Sequence, residues 1–276
     1  MSETTEPVTP STSDDELVLV AIGGRVGTVT LNRPRQRNAL SRALQRRIRE
    51  VLLALDGDDD VDVIILTGAD PAFCAGVDLK ELGGGGDGDT HEVSADLVLP
   101  KDGHRGPFPR VTKPVIGAVN GVAVTGGLEL ALACDFLVAS DRALFADTHS
   151  RVGVMPGWGL TVLLPEAVGV RRARDMSVTG NYIDAQQALQ WGLVNHVVAH
   201  DELLAFCQGL AADVISNDQA GVRQMLVTYH QVTAPATDAA WAVETTISRD
   251  WARDHLDPAA VEARRRGILE RGRAQQ

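Results

Sequence analysis

Apolar residues recur along this chain with two different periods, and the switching between them predicts the architecture. LVLVAI (17–22), a Gly23-Gly24 turn and VGTVTLN (26–32) read as a hairpin of two strands. Asn32-Arg33-Pro34 ends the second strand, because proline lacks an N–H and restricts the residue before it. The period then changes. Leu44, Ile48, Leu52 and Leu55 fall at helical spacing with Arg46, Arg47 and Arg49 off the stripe, which predicts a helix from Ser41 to Leu55. After an acidic break, VDVIILTG (61–68) is apolar without alternation and suits a strand covered on both faces.

AFCAGVDLKEL (72–82) leads through a glycine turn into a short helix, and GGGGDGDTHEVSA (83–95) reads as a flexible insertion. That glycine run follows a helix instead of opening one, so it is no dinucleotide loop. KPVIGAVNGVAVTGGLE (113–129) reads as a buried strand over Val115–Val119, an Asn120-Gly121 turn and a small-residue approach to a helix at Gly126-Gly127. FLVAS (136–140) is a further strand, ALFAD (143–147) a short extended piece, and a helix follows the turn at Pro156–Gly159. Asp184 is placed to cap another helix and Gly192 to end it in the left-handed region, with LVNHVV (193–198) extended behind it. From Asp201 the pattern is helical, with breaks expected at Asn217-Asp218, Ala234-Pro235 and Asp257-Pro258. The fold class is therefore α/β: a core over residues 16–200, a helical region over 201–276, and a Ser/Thr/Pro-rich tail over 1–15 expected to be disordered.

Charge and cysteine content narrow the partners. A net charge of -11 over 276 residues argues against nucleic acid or an anionic membrane. Three cysteines without CxxC spacing suit a reduced, cytoplasmic protein without disulfides. The N-terminal segment lacks the basic and apolar regions of a signal peptide, and no window reaches the length of a membrane span. The histidines show no metal-ligand spacing, so no metal is expected.

The chemistry centres on 113–129. Two glycines opening a helix leave backbone N–H groups unobstructed, where the helix dipole favours developing negative charge. Three residues after the first of them comes Glu129, a carboxylate in an otherwise apolar helix. An anion-stabilising donor beside an acid/base group is an active-site design.

NRPRQRNALS (32–41), AFCAGVDLKEL (72–82), KPVIGAVNGVAVTGGLELALACD (113–135), PGWGLT (156–161) and TGNYIDAQQALQWGLVNHVV (179–198) together resemble the crotonase superfamily, also called the enoyl-CoA hydratase/isomerase family. The resemblance implies a spiral of repeated ββα units, C-terminal helices used in trimerisation, and a homotrimer or dimer of trimers. It implies an acyl-CoA thioester as substrate, with CoA arriving on it and no separate cofactor. It places oxyanion-hole N–H groups at Val77 and Gly126 and the first catalytic glutamate at Glu129. Contacts to CoA map to Arg35, Gln36, Arg37, Ala75, Asp78 and Lys80.

The chain departs from the family at one position. Twenty residues after Glu129, where hydratases carry a second glutamate, stands His149. Histidine gives and takes protons near neutrality, so it serves as the second acid/base group or only lines the pocket. Hydration of a 2-enoyl-CoA to a 3-hydroxyacyl-CoA leads; another enolate reaction (isomerisation, thioester hydrolysis, decarboxylation) or acyl-CoA binding without turnover are the alternatives. Asp147 and Ser150 flank His149, but adjacency alone does not build a Ser–His–Asp triad. Trp158 either lines the acyl pocket or packs in the core, and Arg264–Arg266 is either a solvated helix face or a reach to a neighbouring subunit's CoA.

Overall fold

In this computed structural model, which describes residues 14–82 and 106–274, one unit of two strands and a helix is laid down three times in succession. The first turn is β3 (Val63–Gly68), β4 (Ala72–Cys74) and α2 (Leu79–Leu82). The second is β5 (Val115–Val119), β6 (Val122–Val124) and α3 (Gly126–Leu132), and the third β7 (Phe136–Ser140), β8 (Leu144–Ala146) and α4 (His149–Val152). The first strand of each turn joins a six-stranded sheet that also contains β1 (Val18–Gly23), β2 (Val26–Leu31) and β10 (His196–Val198), in the order β1-β2-β3-β5-β7-β10. The second strand joins a four-stranded sheet, β4-β6-β8-β9, with β9 at Ile183–Asp184. Like strands of successive turns pair in parallel, and only β1/β2 and β8/β9 are antiparallel. This is a spiral of ββα units.

The unbroken apolar run of β3 has the cause that its pattern implies. Val63 and Ile65, with Ile116, Ala118 and Val138, face α8 (Leu203–Ile215) through Leu203, Cys207 and Ala211. Ile64 and Leu66 face the other way, into the cluster with Leu44, Ile48, Leu52 and Leu55 of α1 (Arg42–Asp56). Each such side chain taken from water contributes about 1.5–3 kcal/mol before entropy is counted. Ser41 caps α1 by accepting the Leu44 N–H. Asp184 caps α7 (Ala185–Trp191), and Gly192 closes that helix at φ 83°.

Three local expectations change. β6 is a strand where only an approach to a helix was expected; three residues after a tight turn are too few for a period to show. The helix expected behind the 156–159 turn is α5 (Leu160–Val168), and an unexpected further helix, α6 (Val170–Thr179), follows it at Gly169. Ala234-Pro235 breaks nothing: α9 runs unbroken from Gln219 to His255, 37 residues, which absorbs the one backbone hydrogen bond a proline removes. The breaks at 217–218 and 257–258 stand, with Asp218 capping α9 and Pro258 opening α10 (Pro258–Ala274). A 3-10 turn takes Asp14–Leu17; the rest of the expected tail and the 83–95 insertion lie outside the described residues.

One glycine is fixed by close approach. A Cβ at Gly127 would lie 2.1 Å from the Cys74 carbonyl oxygen, so α3 sits on β4 only because that position has no side chain. We expect Gly127→Ala to cost about 3 kcal/mol or more by overpacking against backbone, read as a lower urea midpoint. An unchanged midpoint would contradict the contact.

Candidate active site

The stacked turns gather the site. Gly76-Val77 follow β4, Thr125-Gly126 follow β6 and Asp147–His149 follow β8, and these strands are neighbours about 4.8 Å apart in one sheet. Residues far apart in sequence thus emerge side by side at the same end of consecutive turns. A Cβ placed on Gly76 (φ +83°) would lie 2.9 Å from the Val124 carbonyl and 3.3 Å from the Gly126 nitrogen. The two glycine motifs therefore touch. Val77 is held between the Gly76 carbonyl, which accepts the Leu40 N–H at 2.8 Å, and the Asp78 N–H, which donates to Leu40 O at 3.2 Å.

Thr125 has φ 55° and ψ -119°, a region that penalises a β-branched residue. Its N–H donates to Ala146 O at 3.0 Å, its carbonyl accepts the Glu129 N–H at 3.0 Å, and its hydroxyl bonds that of Thr148. Strain at this turn is thus held by β8 and the turn after it on one side and by the first turn of α3 on the other.

Glu129 and His149 are both buried, at 3% and 6% exposure. Glu129 Oε1 accepts the Trp158 N–H at 2.9 Å, and Oε2 lies 3.5 Å from His149 Nε2. On the far side of the ring, Nδ1 meets Asp147 Oδ1 at 2.6 Å, and the same oxygen accepts the His149 backbone N–H at 3.1 Å. The imidazole therefore lies between two carboxylates. Burial alone would lower the His149 pKa, but the hydrogen bonds and charges of Asp147 and Glu129 outweigh it and push it up to about 10. Burial pulls the Asp147 carboxyl upward, and the bond to His149 and its charge bring it below its ordinary value. Both carboxylates therefore favour the protonated form of the ring. Ser150 turns away and donates to Ser177 O at 2.8 Å, so no Ser–His–Asp nucleophile forms, although Asp147 is a true partner of the histidine.

A cavity of about 420 Å³ opens onto this pair. Of the residues singled out in the sequence, Val77, Glu129, His149, Trp158, Arg35, Gln36, Arg37, Ala75, Asp78 and Lys80 all line it. Gly126 is not among the lining residues, and its Cα side packs on the Trp158 ring, whose Cζ3 is 2.8 Å from a Cβ built on that glycine. Asp78 is paired with Arg33 at 3.0 Å, so its carboxylate is committed to the protein. Trp158 is 4% exposed, so it packs and lines the cavity at once.

One wall was missed in the sequence. Arg265, Ile268, Leu269, Gly272 and Arg273 of α10 face this cavity, and Arg264 donates to Val152 O at 3.1 Å. Arg264 thus bonds its own chain while remaining exposed, and Arg265 faces the cavity, a contact not expected from the sequence. Periodicity shows which side of a helix is apolar and says nothing of what that side covers.

The sequence model of the family described as Enoyl-CoA hydratase/isomerase matches residues 21–257. The chain belongs to the enoyl-CoA hydratase/isomerase family. Among relatives of this family, the Arabidopsis thaliana protein named "Probable enoyl-CoA hydratase 1, peroxisomal" is 40% identical over 199 residues, 72% of each chain. The crystal structure of an enoyl-CoA hydratase from Mycobacterium smegmatis is 51% identical with a TM-score of 0.76, covering 86% of this chain and 98% of that one. A monofunctional enoyl-CoA isomerase from M. smegmatis is 32% identical with a TM-score of 0.64, covering 82% and 95%. Among the described residues, no helix is long and apolar enough to cross a membrane.

Proposed function

We propose that this enoyl-CoA hydratase/isomerase family member adds water across the double bond of a 2-enoyl-CoA, giving a 3-hydroxyacyl-CoA, with Glu129 and His149 as its acid/base pair. The observation that carries this reading is the Glu129 carboxylate facing the His149 ring at 3.5 Å in the cavity wall. Hydration needs a base for the attacking water and an acid for the α-carbon. Glu129 takes a proton from the water as its oxygen bonds to C3, and His149 gives its Nε2 proton to C2. Glu129 then returns its proton to the neutral ring across the same gap, which restores the resting pair.

The N–H groups of Val77 and Gly126 hold the thioester oxygen while it carries enolate charge; losing one such donor costs about 10²–10³-fold in rate. Arg35, Gln36, Arg37, Ala75 and Lys80 bind the CoA portion, Asp78 acts by fixing Arg33, and Trp158 meets the acyl group. CoA comes with the substrate, and no cofactor or metal takes part. Met225, Tyr229, Val232, Val243 and Ile247 are all exposed on α9 at helical spacing, an apolar stripe that supports a homotrimer or a dimer of trimers. The three cysteines are free and buried, which supports a reducing compartment; the cytoplasm is our reading.

Incubation of the purified protein with a panel of 2-enoyl-CoA esters tests this. We expect 3-hydroxyacyl-CoA as the product. A shifted double bond, free CoA, or binding without turnover would each overturn the hydratase reading.

A further inference from the structure

We propose that Glu244, in the C-terminal helix α9, is a positioning residue that sets Glu129 through the turn at 158–161. Glu244 is 5% exposed and spends both carboxylate oxygens on this turn. Oε1 accepts the Gly159 N–H at 2.6 Å, and Oε2 accepts the Thr161 N–H at 2.8 Å and the Thr161 hydroxyl. The adjoining N–H, that of Trp158, donates to Glu129 Oε1 at 2.9 Å. Two carboxylates thus hold three backbone N–H groups of the four-residue turn 158–161, and Gly159 at φ +99° allows neighbouring N–H groups to diverge towards them.

The turn has no cap of its own. Gly159 provides no side chain to the first turn of α5, so Glu244 supplies the charge that this helix end favours. The rest of α9 fixes the same segment at helical spacing. The Trp241 ring fills the space beside Gly159, where a Cβ would lie 2.0 Å from it. Ser248 Oγ donates to Met155 O at 3.2 Å, and Trp251 Nε1 donates to Gly153 O at 3.0 Å. Positions 241, 244, 248 and 251 therefore run down one face of α9 and hold residues 153–161 along their length. Met155, Gly157 and Trp158 of that segment line the cavity. Burial raises the Glu244 pKa first, and the charge of Glu129 raises it further, so the two carboxylates feel each other directly.

The inference rests on Glu129 being the base, and the test separates the two claims. Glu244→Gln keeps the shape but sets amide N–H groups against backbone donors, so the turn relaxes and Glu129 loses its fixed partner. We expect kcat to fall about 10- to 100-fold, the scale of a misplaced catalytic group, while KM for the enoyl-CoA changes less than about threefold. In a Glu129→Gln background the same substitution should change kcat by less than about twofold, because there is no longer a base to place. Thr161→Ala, at an exposed position, removes only the hydroxyl donor and should show the same pattern at about two- to fivefold. This second variant decides the matter if Glu244→Gln does not fold. Losses that multiply in the double variants, or folded variants with wild-type kcat, overturn the positioning role. If Glu129→Gln alone leaves turnover intact, it is the base assignment that fails.

Discussion

Glu129→Gln should lower turnover of a short 2-enoyl-CoA by about 10²–10⁴-fold, with KM changed little. The glutamine side chain fills the same buried volume, and its oxygen can still accept the Trp158 N–H. The fold and the cavity wall therefore remain. What disappears is the group able to take a proton from water, and with it the charge opposite His149. An effect confined to kcat identifies an interaction made in the transition state; an effect confined to KM would assign Glu129 to binding instead. Steady-state kinetics on a variant with wild-type thermal unfolding measures this. Turnover within about threefold of the parent would remove Glu129 from the mechanism.

The legible part of the molecule is the part written in local pattern. The α1 stripe, the Ser41 and Asp184 caps and the Gly192 stop each follow from a few adjacent residues. The turn glycines before Glu129 and the carboxylate itself stand in one short string whose chemistry can be stated from residue types, while Val77 was singled out through the family resemblance. The unread part is long-range or depends on a rotamer. Asp147 is two residues from His149, yet only the ring orientation makes it a partner at Nδ1. Glu244 lies 85 residues from Gly159, and no periodicity links a helix carboxylate to the end of a helix so far back in the chain. Contacts that cross the expected division at residue 200 are unread for the same reason. Trp241, Glu244 and Arg264 belong to the helical region by sequence, but they pack on the core and its site.

His149 carries the other large effect, and its pH dependence gives the sharper test. His149→Gln removes the proton donor to the α-carbon and should lower kcat by about 10²-fold, the low end of the general-acid range. In the parent protein the ring pKa stands above the ordinary histidine value, pushed up to about 10 against the effect of burial by Asp147 and Glu129. The sign follows from that direction. The charged ring's stabilising contribution is complete below the unfolded value of about 6.5 and is lost as pH rises through about 10. Activity that depends on the imidazolium should therefore persist through pH 9 and fall above it. Asp147→Asn keeps an oxygen for the Nδ1–H but removes the charge. An opposite charge this close moves a titration by about one to three pH units, so the alkaline limb should shift down by that amount. With a shift of two, kcat at pH 9 falls about tenfold while kcat at pH 6 is nearly unchanged. Profiles of the parent and Asp147→Asn between pH 6 and 10.5 settle the point. A limb that stays in place means His149 is not the titrating donor; a uniform loss at every pH means Asp147 acts through structure and not through the charge of the ring.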